Sequence, residues 1–361
     1  MWQRIKIPAT VLVLLAAAGY GIHQLMGSRE WLEFRSDSFG QALAQVRWSY
    51  LVLGAAFIFS SYFFRSLRWR EFLAPSKTGG LGSVNLGNIF ASTLIGFSAV
   101  ALLGRPGELV RPLMIARKEQ VDLSSQLGAW TLERIFDCLA VAIMIGAALL
   151  FSPPQNSLTV TGARMIAGLR TGGIILCAGS LLLGVVLALL RSNAKALLNL
   201  LLFLAQVLPE RYRNWLRHIL ESLLTNFTAA LACIASTYGF FLCTAFSVLV
   251  WVPVISAYWV VTHALGQPLS SLGVGSVVLL LGVTVAGSLV QIPGVGGGPQ
   301  IASILVLTQL FGIPLAIAST AAILLWTVSF IIVLVPGLPL AAREGLNWQR
   351  LRHLVKTPVQ Q

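Results

Sequence analysis

The sequence predicts an all-α fold: a polytopic transmembrane helical bundle of about eight spans plus two re-entrant or broken helical segments. Three observations carry that reading. Of 361 residues, 57% are hydrophobic and only 10% are charged, whereas soluble domains carry about 25% charged residues. From Ser222 to Ala342 there is no Asp, Glu, Lys or Arg, and no soluble surface of that length solvates itself without charge. The net charge of +13 is gathered in short segments beside apolar runs: Arg65, Arg68 and Arg70; Arg211, Arg213 and Arg217; Arg343, Arg350, Arg352 and Lys356. That is the positive-inside pattern, with attraction to anionic lipid added, and not a nucleic-acid footprint.

Apolar runs of spanning length place the elements in order. Ile7–Met26 follows Arg4 and Lys6 and reads as a retained first helix with its N-terminus in the cytoplasm. Trp48–Phe64 is the second span, and the basic stretch from Arg65 reads as a cytoplasmic loop. Gln126–Phe151, Thr171–Leu190, Tyr238–Leu265 (with Pro253 inside), Leu272–Ile292 and Pro314–Val335 follow. Val84–Gly104 is apolar enough to cross, yet a second basic cluster, Arg105, Arg111, Arg117 and Lys118, comes directly after it. A segment that enters from the cytoplasm and turns back resolves the conflict, and its content of Asn85, Asn88, Ser92, Thr93 and Ser98 suits burial in protein. Ser192–Asn226 reads as an amphipathic segment on the inner surface. Residues 1–342 thus form one transmembrane domain, and 343–361 a basic cytoplasmic tail.

Two Gly/Pro-interrupted stretches cannot continue a helix. The first is Gly104-Arg105-Pro106-Gly107-Glu108-Leu109-Val110-Arg111-Pro112; the second runs from Gln291 through Pro293, Gly294, Gly296, Gly297 and Gly298 to Gln300. Broken helices at membrane depth free backbone groups that protein, water or ligand must satisfy. Paired interruptions in the two halves are a pointer to a transporter binding site. Arg105 and Arg111 offer planar forks that match phosphate oxygens. Glu108 lies between them. Glu133 and Asp137, four residues apart, share one helix face with Arg134 beside them, several residues inside an apolar run. Ionisable groups at such depth face the bundle interior and find partners, here expected among the arginines of the first break. Surface turns and a purely structural salt-bridge network are the alternative readings of these residues.

No catalytic residue, metal ligand set or cofactor motif is expected. The glycine stretch lacks the G-K-[ST] of a P-loop, and Cys138, Cys177, Cys233 and Cys243 lie in apolar runs without ligand spacing.

GRPGELVRP (Gly104–Pro112), LERIFD (Leu132–Asp137) and a late PGVGGG turn (Pro293–Gly298) together resemble the lysylphosphatidylglycerol synthase transmembrane, or flippase-like, family. The resemblance covers nearly the whole chain. It implies a bundle with two re-entrant segments that moves lipids with polar or charged headgroups between leaflets. Some relatives carry a soluble aminoacyltransferase domain; this chain stops about 20 residues after its last span and is not expected to be a synthase by itself. Many relatives have a glutamate after the late glycine turn where this chain has Gln300, which weakens a cationic substrate. The expectation is therefore a translocase for a polar-headgroup phospholipid or a polyprenyl-phosphate-linked lipid. Its partners would be membrane lipids with an anionic or phosphate-bearing headgroup, no nucleic acid, and an envelope biosynthesis partner. It would sit in a bacterial cytoplasmic (inner) membrane with both termini cytoplasmic. The alternative is a membrane enzyme, with Glu133 or Asp137 as base, or an accessory scaffold in envelope lipid or glycolipid synthesis.

Overall fold

The computed structural model describes residues 40–41, 43–73, 84–151, scattered positions between 168 and 182, 236–288, 291–292 and 296–345. The expected spans Ile7–Met26 and most of Thr171–Leu190, the amphipathic stretch Ser192–Asn226 and the tail beyond 345 lie outside the described residues. Four helices among the described residues are long and apolar enough to cross a membrane: Trp48–Leu73, Leu86–Leu103, Thr237–His263 and Leu315–Arg343.

Helix α1 (Trp48–Leu73) has 26 residues and is about 39 Å long at 1.5 Å per residue. It does not stop at Phe64, so the expected basic loop begins later than Arg65. Helix α2 (Leu86–Leu103) starts where Asn85 accepts from the N–H groups of Gly87 and Asn88, filling two of the donors a helix start leaves bare. It ends at Gly104, whose φ of 70° no longer fits the helix. A 3₁₀ turn over Arg105–Leu109, entered through Pro106, leads into α3 (Val110–Glu119). Asn88 in the first turn of α2 donates to Glu119, the last residue of α3, at 2.8 Å. The chain therefore goes in along α2, turns at Gly104–Gly107 and returns. The apolar segment and the basic motif after it are the two legs of one hairpin, each about 25 Å long.

Helix α4 (Leu123–Phe151) then runs the other way across the bundle. Helix α5 (Thr237–His263) lies antiparallel to α1: the N–H of Arg47 donates to Ala264 at one end, and Arg68 reaches Ser247 further along. Pro253 sits inside α5.

The expected span Leu272–Ile292 is shorter. Helix α6 (Val274–Gly287) has 14 residues, too few for the roughly 20 that a crossing needs. After it come a minimal antiparallel ladder, β1 (Gln291–Ile292) with β2 (Gly296–Gly297), and helix α7 (Gly298–Leu305), extended by a π turn over Val306–Leu310. Thr284 of α6 and Ser303 of α7 are hydrogen-bonded through their hydroxyls at 2.8 Å. A Cβ at Gly287 would meet Ala302 Cβ at 2.6 Å and the Gly298 carbonyl oxygen at 2.7 Å. This is a second helical hairpin, closed by small residues. Helix α8 (Leu315–Trp326), a π turn over Thr327–Ile331 and α9 (Leu334–Arg343) complete the bundle.

The two hairpins enter from opposite sides. The first starts and finishes on the side where α1 ends; Lys118 of α3 pairs there with Glu344, just past α9, at 2.5 Å. The second starts after α5, on the side where α1 begins, and returns there to launch α8. Their tips meet inside the protein: Arg105 Nη2 lies 3.3 Å from Ser288 Oγ. A large apolar cluster of α1, α5, α6 and α8 residues packs around the second hairpin. A smaller one, with Trp69, Ile89, Ile115 and Leu132, packs around the first.

Candidate functional site

The site begins with α1 and α4. Ser61, Arg65, Arg68 and Phe72 are buried positions at helical spacing on α1, so the apolar stripe that faces the bundle carries two arginines. Glu133 and Asp137 project from one face of α4 toward them. Arg65 Nη1 donates to Asp137 Oδ2 at 2.9 Å and to Glu133 Oε1 at 3.3 Å. Arg68 Nη2 donates to Glu133 Oε1 at 2.8 Å and Asp137 Oδ1 at 2.9 Å, and its Nη1 donates to Ser247 at 2.9 Å. Arg68 and Glu133 have no solvent-exposed surface. Moving one such ion out of water costs several kcal/mol, so the group is tolerable only as a mutually paired set.

The first hairpin adds to this set. Arg111 of α3 forms an ion pair with Glu133, and its guanidinium lies 4.0 Å from the ring centroid of Trp69, a cation–π stack. Gly96 lets α3 come this close, because a Cβ there would sit 2.5 Å from Arg111 Cβ. At the tip, Arg105 pairs with Glu108 at 2.5 Å. Arg134 of α4 bridges the tip to the core, 3.8 Å from Glu108 and 3.3 Å from Asp137. Among the described residues, five guanidinium groups and three carboxylates thus form one connected network with two more arginines than carboxylates.

A cavity of about 430 Å³ opens beside this network, within the range of small-molecule sites. Arg65, Arg105, Glu108, Arg111, Arg134 and Asp137 line one part of it; Phe97, Val100, Val141, Ile145, Val285 and Phe330 line the rest. Ser288 and Ala286, at the tip of the second hairpin, close one wall, and Trp251 of α5 another. Phe330 comes from the π turn in the last helical run; π turns insert one extra residue per turn and re-aim side chains.

The structure brings Arg105, Glu108, Arg111, Arg134 and Asp137 to the cavity wall. Glu133 sits behind it, holding Arg65, Arg68 and Arg111. Gly107 packs against the backbone of Ala99 at the hairpin tip and has no room for a Cβ. Gly296, Gly297, Gly298 and Gln300 form the start of the second hairpin's return leg and are not among the lining residues. Pro293 and Gly294 lie outside the described residues. The principal partners of the two α4 carboxylates are Arg65 and Arg68, and of the first-break arginines only Arg111 reaches Glu133. Sequence reasoning assigned Arg65 and Arg68 to a loop. The missed signal was that Ser61, Arg65, Arg68 and Phe72 continue the helical period of the span beyond its last uncharged residue. Among the described residues, no group of three or more His, Cys, Asp or Glu side chains is placed to hold a metal ion.

The family model for the lysylphosphatidylglycerol synthase TM region matches residues 31–337 of the chain. No curated protein and no solved structure matches it.

Proposed function

Given that the chain belongs to the lysylphosphatidylglycerol synthase TM family of membrane proteins, we propose that it is a lipid translocase whose substrate headgroup docks in the cavity between the two hairpin tips. The observation that carries this reading is the meeting of Arg105 and Ser288: two helical hairpins from opposite sides stop against each other at a charged cavity. A headgroup that reaches the cavity from one leaflet cannot leave toward the other until the tips separate. Arg105 and Arg111 contact the phosphate of the lipid, and Glu108, Glu133 and Asp137 hold the arginines in place with Arg134. The apolar wall of Phe97, Val141 and Phe330 accommodates the start of the tails. Gly296, Gly297 and Gly298 open the return leg of the second hairpin, Pro293 and Gly294 belong to the same site by their place in the sequence, and Gln300 offers that leg a neutral hydrogen-bonding group in place of a counter-ion.

The side on which the first hairpin enters is the cytoplasmic one in this reading, because Arg117, Lys118 and Arg343 gather there. The membrane is the bacterial inner membrane, and both chain ends are cytoplasmic.

Transport of short-chain fluorescent lipids in proteoliposomes tests the proposal. Arg111→Ala slows transport. A disulfide formed between Arg105→Cys and Ser288→Cys, which pins the tips together, stops it, and reduction returns it to the slower rate of Arg105→Cys alone. Unchanged transport by both variants removes the site assignment. Product formation from a lipid phosphate by the purified protein alone points instead to the membrane-enzyme reading.

A further inference from the structure

The charge balance of the cavity narrows the substrate class. The network holds Arg65, Arg68, Arg105, Arg111 and Arg134 against Glu108, Glu133 and Asp137 within 4 Å ion-pair distances. Among the described residues the arginines therefore outnumber the carboxylates by two, and the least buried of them, Arg105 and Arg134, stand about a third exposed beside the cavity. Two buried donors beside the cavity add to this. Arg111 Nη1 and Trp251 Nε1 are buried and have no hydrogen-bond partner, both residues line the cavity, and Arg111 and Trp251 are only 4% and 7% exposed. Both atoms are donors. Arg105, with 38% of its side chain exposed, has donors to spare beyond Glu108 and Ser288. The cavity thus presents an excess of donors and two net positive charges, and its opposite wall is apolar.

We propose that the lipid accepted here carries a phosphate monoester, a headgroup with up to two negative charges and three acceptor oxygens, in preference to a phosphodiester with one charge or a headgroup bearing an amine. This rests on the translocase reading for its lipid source but not for its charge argument. A dianion neutralises the excess of two; its oxygens accept from the exposed donors of Arg105, and from Arg111 and Trp251 once those side chains turn toward it. A phosphodiester leaves one charge uncompensated. A cationic headgroup adds to the excess. The apolar wall separates a lipid phosphate from the free ion.

Cys138 lines the cavity and is exposed, whereas Cys243 is buried. With Cys177 and Cys233 replaced by Ser in the full chain, the alkylation rate of Cys138 in mixed micelles reports occupancy. Phosphatidic acid should protect Cys138 at a concentration roughly tenfold lower than phosphatidylglycerol or phosphatidylethanolamine, the scale of one added charge-assisted contact. Its protection should strengthen from about pH 5.5 to 7.5 as the monoester takes its second charge near pH 6. A phosphodiester has no second proton to lose over that range, so protection by phosphatidylglycerol, measured against the lipid-free rate at the same pH, should stay flat. Arg105→Gln, at the half-exposed tip where folding is least at risk, should shrink the preference for phosphatidic acid.

Equal protection by phosphatidic acid and phosphatidylglycerol overturns the inference, as does a preference for phosphatidylethanolamine. Protection by inorganic phosphate at the concentration at which phosphatidic acid protects overturns its lipid part. Lipid transport without selective protection sinks this inference and leaves the translocase reading standing. Selective protection without transport does the reverse.

Discussion

The two helical hairpins solve the same problem with different chemistry. Both fold back within the protein, and both must bury a turn. The first is held by charge: Arg111 to Glu133, Arg134 across to Glu108, Lys118 to Glu344, and Asn88 to Glu119. The second has no ionisable residue in its described legs and is held by close approach. Its fastenings are the Thr284–Ser303 hydroxyl pair, Gly287 against Ala302, and Gly282 against Ile145 of α4. Charge fixes the first hairpin by long, directional side chains and leaves room for a cavity. Small residues fix the second by backbone proximity and leave no room between its legs. The charged side and the close-packed side are therefore distinct parts of one junction.

Substitutions can break this contrast at graded cost. The largest effect is expected at Glu133. Glu133→Leu removes a fully buried carboxylate and leaves Arg65, Arg68 and Arg111 short of a partner. Stability should fall by about 3–5 kcal/mol, read as a steep drop in melting temperature in detergent; a shift of a degree or two would mean that water reaches the cluster. Next comes Gly287→Val in the second hairpin. Its side chain meets the Gly298 backbone, and overpacking of this kind costs about 1–3 kcal/mol. Charge reversal elsewhere cannot rescue it, whereas Ala302→Gly should recover part of the loss.

Arg134→Leu sharpens the comparison from the other direction. Its depth in an apolar run suggests, from sequence, a loss of roughly 3–5 kcal/mol for an uncompensated buried carboxylate. The structure lowers that expectation. The Arg134 side chain is 34% exposed, and Arg65 and Arg68 still cover both carboxylates, so the cost should be about 0–1 kcal/mol. A large destabilisation would show that the tip is dry. An effect of the same small scale belongs to the Lys118–Glu344 pair at the end of the first hairpin. A double-mutant cycle with Lys118→Ala and Glu344→Ala should give a coupling of about 0.2–1 kcal/mol that fades at high salt.

Much of the fold was legible because the bilayer is an undemanding reader. Stretches such as Tyr238–Leu265 and Pro314–Val335 are long, apolar and uncharged, and nothing but lipid suits them. The paired breaks were legible as well, since Pro106, Gly107 and the late glycines forbid a continuous helix. Helix ends were less so. Trp48–Phe64 was closed nine residues early because Arg65 and Arg68 look like a loop to a rule that counts basic residues, and the rule has no knowledge of the carboxylates on α4. Likewise Leu272–Ile292 has spanning length by hydropathy, but α6 stops at Gly287 because α7 folds back onto it through Thr284 and Ser303.

The sequence by itself determined that this protein lives in a membrane, that two of its helices break, and that Arg105, Glu108, Arg111, Glu133, Arg134 and Asp137 lie near those breaks. These are properties of local composition, and solvation free energy acts on them residue by residue. Only the tertiary structure decided that the two breaks face each other from opposite sides, that Arg65 and Arg68 complete the charge network, and that this network, with two more arginines than carboxylates among the described residues, borders a cavity. Those facts depend on distances between segments up to some 180 residues apart, as in Arg68 to Ser247. Such distances are fixed by packing and ion pairing across the bundle, which no local pattern encodes.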